Sequence, residues 1–200
     1  MNEALRIILP LYLLAYLVVA FLWRSYLVYK RTGVNPYVIG RSKGVAGFVE
    51  MFLRVPLVVL ALVTFVYAVF PGVYQFAVPI HWLESFAIQV AGVVLLGVAL
   101  VWTAIAQMQM GKSWRVGIDK ENRTELVESG LFKISRNPIF LGLRVALVGF
   151  FLAMPNAVTL LVMTLSDVLM QIQVRLEEEF LTGVHGDKYQ EFCSRVRRWI

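Results

Sequence analysis

Apolar positions fall in five blocks, separated by polar or Pro/Gly-marked stretches. The first, residues 5–23 (LRIILPLYLLAYLVVAFLW), is long enough to cross the hydrocarbon core of a bilayer. Pro10 inside it is tolerated, because lipid-buried helices can resatisfy the freed backbone groups. A secretory signal would need a more basic start and a small-residue cleavage site; neither is clear, so this block reads as a retained span. The second block runs from about Phe48 to Phe70 and the third over residues 83–108, where Ala91, Gly92, Gly97 and Ala99 let another helix approach closely. The fourth and fifth, 138–153 and 157–174, flank the turn Met154-Pro155-Asn156 and read as a helical hairpin. The fourth is short, so it tilts or sits in thinned bilayer. Arg144 on it needs protein or water around it; Asp167 on the returning arm is its plausible partner, for structural pairing or for lining a cavity. The pattern predicts one all-α membrane domain over 1–200, with about five transmembrane helices including the C-terminal hairpin, followed by an amphipathic tail helix.

Composition strengthens this picture. The chain is 59% hydrophobic and only 16% charged, with a mean hydropathy of +0.71, against about 25% charged residues in an ordinary soluble domain. The net charge of +6 does not point to nucleic acid, because positive charge beside membrane spans is expected from the orientation rule and from anionic lipid. Of the 19 Lys and Arg residues, only Arg6 falls outside three regions: 24–54, 111–144, and the tail from 175 onward. Five spans with the N-terminus outside and the C-terminus cytoplasmic put all three regions on one face. Cys193 is the sole cysteine, and His81 and His185 are far apart, so neither an internal disulfide nor a zinc site is expected.

Two polar regions then stand out as the place for chemistry, residues 111–137 and 175–200. Within the first, Asn137-Pro138 reads as a helix start: Asn accepts free backbone N–H groups and Pro supplies the fixed φ of the first turn. The same start can hold an anionic or carboxylate-bearing ligand, or be a cap and nothing more. The tail opens with Arg175 and the triplet Glu177, Glu178, Glu179. Carboxylates this close repel unless cations partner them, and Lys112, Arg115, Arg136 and Arg175 are candidates; otherwise the triplet is a solvated face. Glu50 and Arg54, four residues apart at the start of the second span, can pair on one helix face, as an interfacial ion pair or as part of a site.

Taken in order, TELVESGLFKISRNPIFLG at 124–142, EEEFLTGVHGDKYQEF at 177–192 and VRR at 196–198 resemble the isoprenylcysteine carboxyl methyltransferase family of integral membrane enzymes, whose wider group includes phospholipid N-methyltransferases and sterol reductases. The resemblance covers the C-terminal half. It implies S-adenosylmethionine bound on the cytoplasmic side and a lipid-like acceptor, such as a carboxylate, entering from the bilayer. By position it implies that Glu125, Leu126, Val127, Phe132, Asn137, Pro138, Phe140 and Tyr189 surround the cofactor. It gives catalytic roles to Glu177, Glu178 and Arg175, with no metal. The chain departs from the family pattern at Phe132 and Phe140, which replace tyrosines, at Asn137, which replaces histidine, and at Gln173, which stands where the family usually has its substrate-side Arg. The rival readings are an NADPH-dependent reductase of the sterol-reductase type and a non-catalytic lipid-binding membrane protein.

Overall fold

A computed structural model describes residues 2–38, 44–117 and 125–200. Arg41, Lys43, Lys120, Arg123 and Thr124, which entered the reading of the charged regions and of the family-like string, lie outside the described residues.

The first helix, α1 (Asn2–Leu17), runs without a break through a wide π-helical turn, Val18–Trp23, into α2 (Arg24–Thr32). The first span therefore outlasts the apolar block that announced it. Residues 24–32, which begin the first of the three basic regions beyond the apolar block, continue the helix, and Arg24 has a partner inside the protein: its guanidinium donates to the Gly111 carbonyl at 2.6 Å. The helix stops at Gly33, whose φ of +68° supplies the left-handed residue that ends many helices. Next come α3 (Gly44–Phe52) and α4 (Arg54–Val69), which form one span interrupted at Leu53. Pro56 lacks the N–H that would bond back to the Phe52 carbonyl, and the break falls beside that missing bond.

A short connection carries α5 (Pro71–Tyr74) and two single 3₁₀ turns before α6 (Phe86–Met110). Then follow α7 (Pro138–Ala153), α8 (Ala157–His185) and α9 (Asp187–Arg195). Four helical stretches, Glu3–Thr32, Gly44–Val69, Phe86–Ser113 and Ala157–His185, are long and apolar enough to span a bilayer; Pro138–Ala153 is shorter. At 1.5 Å per residue α7 covers about 24 Å, against a hydrocarbon core of about 30 Å. No strand is present among the described residues. Large apolar side chains such as Leu11, Leu22, Leu62, Val101 and Leu161 point outward. A helix bundle with an apolar exterior is an integral membrane protein.

The α7–α8 hairpin turns where the sequence placed it. Asn156 caps α8 by accepting from the Thr159 N–H at 2.9 Å, while its amide donates to the Tyr74 hydroxyl at 3.1 Å. Two backbone bonds, Ile80 N–H to Pro155 O at 2.9 Å and Ala157 N–H to Val78 O at 3.1 Å, lash the connection before α6 to the same turn.

The closest helix pair is α6 against α7. A Cβ added at Gly92 would lie 2.5 Å from the Ala153 nitrogen and 2.8 Å from the Gly149 carbonyl, so hydrogen at this position is what lets the two backbones touch. Farther along the same antiparallel seam, Gly142 sits against Thr103 and Trp102. Of the four small residues read as a contact face, Gly92 and Ala99 are buried in the seam, whereas Ala91 and Gly97 face outward.

Placing Val at Gly92 is expected to wedge α6 from α7 and lower stability by ~2 kcal/mol or more, the range of overpacked cores. Gly97→Ala, where an added Cβ meets nothing within 4 Å, should leave the thermal midpoint in detergent unchanged. Thermal unfolding of the two variants side by side checks both.

Candidate functional site

One end of the bundle gathers the charged residues, and there a cavity of about 350 Å³ opens between the helices. This is within the ~300–1,000 Å³ typical of small-molecule sites. It has two limbs. The polar limb is lined by Ser113 to Gly117, Glu125 to Val127, Phe132, Arg136 to Phe140, Glu177 and Tyr189. The apolar limb descends into the membrane-spanning part past Leu57, Leu60, Leu147 and Phe150 to Tyr12 and Tyr16.

The rim of the polar limb is held by a half-buried charge cluster. Arg136, just before α7, donates from Nε and Nη2 to Glu178 Oε1 at 3.1 and 2.8 Å. From the far end of the chain Arg198 donates to Glu178 Oε2 at 3.0 Å from Nε and 2.6 Å from Nη2. Arg136 spends its remaining nitrogen, Nη1, on the carbonyls of Cys193 and Val196, at 3.2 and 2.8 Å. The backbone follows: Arg136 N–H donates to Arg197 O at 3.0 Å, and the Ser135 hydroxyl to Arg198 O at 3.1 Å. Hydrogen bonding to Glu178 raises the Arg198 guanidinium above its ordinary range and keeps it charged. Glu178 thus clasps the last residues of the chain to the start of α7. Beneath the clasp Phe132, Tyr189 and Phe192 form a small apolar core of their own, and burial pushes the Tyr189 phenol up, so it stays protonated at neutral pH.

Asn137 does not act as the expected cap. Its side-chain oxygen accepts no bond from the first turn of α7; its amide reaches back to the Arg198 carbonyl at 3.4 Å, and its own N–H goes to the Ser135 hydroxyl at 3.1 Å. The tail has recruited the side chain. Leu141 N–H does return to the Asn137 carbonyl at 3.0 Å, but the N–H groups of the first turn have no intrahelical partner, as at any helix start. Ile139 and Phe140, which carry two of them, line the cavity.

The residues read from the sequence divide by position. Glu125, Leu126, Val127, Phe132, Asn137, Pro138, Phe140 and Tyr189 all line the polar limb, and so does Glu177, which accepts from the Gln173 amide at 3.1 Å. Glu178 stands behind the wall in the clasp. Arg175 is exposed and absent from the lining. The reason is helical geometry: two residues past Gln173, a side chain points about 200° away from the cavity stripe Ser166, Met170, Gln173, Glu177. Gln173 and Arg136, passed over or given only as a loose partner from sequence, take the inward positions. Glu50 on α3 is buried and also lines the cavity; its four-residue offset from Arg54 was visible, but nothing local showed that it faced inward. Arg144 and Asp167 do pair, at 2.6 Å, with the guanidinium 4.4 Å from the Trp199 ring centroid, outside the cavity. Among the described residues, no group of three His, Cys, Asp or Glu side chains is placed to hold a metal.

Removing the clasp carboxylate leaves the half-buried Arg136 without its counter-charge. Glu178→Ala is expected to cost ~3 kcal/mol and to free the tail, read as faster proteolysis after Phe192 and a lower thermal midpoint.

A search of curated proteins and one of solved structures each return no match. The sequence model of the phospholipid methyltransferase family matches residues 87–188, the stretch that carries α6, α7, α8 and the polar limb of the cavity. With just over half of its length inside that match, and with most of the polar limb built from it, the chain belongs to the phospholipid methyltransferase family of integral membrane methyltransferases.

Proposed function

We propose that the protein transfers a methyl group from S-adenosylmethionine, held in the polar limb, to a lipid-like or other hydrophobic acceptor lying in the apolar limb. The observation that carries this reading is the convergence of eight sequence-separated residues, Glu125 through Tyr189, on one cavity that continues into a greasy channel. The donor set fits such a cofactor. Phe132 and Phe140 offer aromatic faces to a purine, the backbone at Leu126 and Val127 offers amide and carbonyl groups, and Glu177 offers a carboxylate for an ammonium. Family membership favours transfer over the reductase and the purely lipid-binding alternatives.

When bound, S-adenosylmethionine supplies an electrophilic sulfonium methyl group. The chain's own contribution is positioning and exclusion of water, which for a displacement at carbon removes much of the barrier. The aromatic core under the clasp closes the cavity toward solvent, and the apolar limb admits the acceptor from the bilayer side. The Lys/Arg distribution supports a reading in which this end faces the cytoplasm and the N-terminus lies outside. Arg175 has no part in the reading, because its side chain leaves the cavity. Glu178 acts through Arg136 and Arg198, and Glu177 is the carboxylate that α8 brings to the site.

Purified protein in lipid nanodiscs is expected to retain tritiated S-adenosylmethionine and to move the labelled methyl into an organic extract when presented with membrane lipid. Retention of NADPH instead, or of neither compound, rejects the proposal. Glu177→Gln should lower transfer at least tenfold, whereas Arg175→Ala should stay within about twofold of wild type.

A further inference from the structure

One wall of the polar limb is made by residues 125–132, of which 125–129 belong to no helix. Glu125, Leu126, Val127 and Phe132 line the cavity. The shape of the site on this side therefore depends on whatever fixes an irregular stretch of chain.

Side chains from other elements fix it. The Ser113 hydroxyl donates to the Glu125 carbonyl at 3.1 Å. Glu128 takes Arg195 at 2.8 Å and Lys188 at 3.7 Å, but these cations are 57% and 64% exposed, and ion pairs so open to water hold little. Near the end of α6, Gln109 does more: its Oε1 accepts from the Leu131 N–H at 2.7 Å, and that bond is partly buried. The fit around it is close. Gly130 has φ +63°, in the left-handed region, and a Cβ added to it would lie 2.3 Å from Cδ and Nε2 of Gln109 and 2.5 Å from its Oε1. Glycine is what lets the backbone turn against the amide.

Gln109 itself does not line the cavity. Gln107 does, and spends its amide on the Ala20 carbonyl at 2.9 Å; two positions further along a helix, a rotation of about 200° turns Gln109 to the back of the wall. From there it fixes the Leu131 N–H, and with it the turn Gly130–Lys133 that carries Phe132.

We propose that Gln109 is a positioning residue for the methyl donor: its amide sets where the Phe132 ring and the Leu126 and Val127 backbone stand, and so governs affinity for S-adenosylmethionine without touching it. This rests on the methyltransferase reading and extends it to a residue outside the cavity. What the wall requires at 109 is an acceptor oxygen at this reach. Glutamate supplies one, whereas methionine has similar length and only a weakly accepting thioether.

Wild type, Gln109→Glu, Gln109→Met and Gly130→Ala, whose methyl group pushes the amide aside, are compared in nanodiscs. Hydrogen–deuterium exchange is followed without ligand, and S-adenosylmethionine is titrated calorimetrically. Gln109→Met and Gly130→Ala are expected to speed exchange at least tenfold in peptides over 125–133, to leave α8 and α9 as protected as in wild type, and to weaken the cofactor at least tenfold. Gln109→Glu should stay within about threefold of wild type in both measurements. Faster exchange across α8 and α9 as well would make Gln109 a contributor to general stability and overturns the assignment. Wild-type cofactor affinity in Gln109→Met overturns it too, as does a Gln109→Glu protein as weak as Gln109→Met. Should Gln109→Met fail to fold, Gly130→Ala measured against wild type decides. Wild type that binds no S-adenosylmethionine rejects the methyltransferase reading instead, and exchange over 125–133 then judges the hold of Gln109 on the wall by itself.

Discussion

A carboxylate withdrawn from water between two guanidinium groups governs the polar end of this molecule. Glu178 would be strongly disfavoured in a largely buried position unless opposite charge came to it, and the chain supplies that charge from two distant places, Arg136 before α7 and Arg198 near its last residue. Satisfying the ion pairs folds residues 196–198 back over the start of α7. The same fold sets Asn137 and Pro138 opposite Tyr189 and Phe192. The cavity's rim is a by-product of pairing one anion.

The two limbs come from different parts of the sequence. Most of the polar limb belongs to the stretch matched by the family, 87–188, whereas Tyr12, Tyr16, Leu57 and Leu60 on the membrane side belong to α1 and α4. Within the apolar limb the Tyr16 hydroxyl bonds to Thr103 at 3.2 Å, and Thr103 in turn fills the space that Gly142 leaves open. The α6–α7 seam and the floor of the cavity are therefore one construction, tying the closeness of two helices to the depth available for an acceptor.

The apolar blocks announced the helices because a membrane span has to be written as a long greasy run, and hairpin chemistry at Met154-Pro155-Asn156 is local. Cavity-lining residues that travel in compact strings, such as Phe132 and Asn137 to Phe140, were equally legible. What escaped depended on rotation or on distant partners. Arg175 and Gln173 differ by two positions, and only the phase of α8 tells which faces inward. Asn137 had the right chemistry for a cap, but a carbonyl at Arg198, sixty-one residues away, claimed its amide. Arg24 fell outside the first apolar block, because its acceptor, the Gly111 carbonyl, belongs to another helix end.

The wide turn at Val18–Trp23 carries a further implication. A π-helical turn accommodates one residue more than the α-helix on either side needs, and the surplus rephases everything after it by about 100°. Here the rephased face is the one that sends Arg24 and Ser25 inward, while the loosened Ala20 carbonyl takes the Gln107 amide at 2.9 Å. Chains of this architecture one residue shorter within this turn would keep both flanking helices intact yet dial the first helix to another azimuth, losing the Arg24 latch and presenting a different wall to the lipid-facing half of the cavity. A single-codon length change is thus a route by which this bundle can be re-keyed without redrawing any helix.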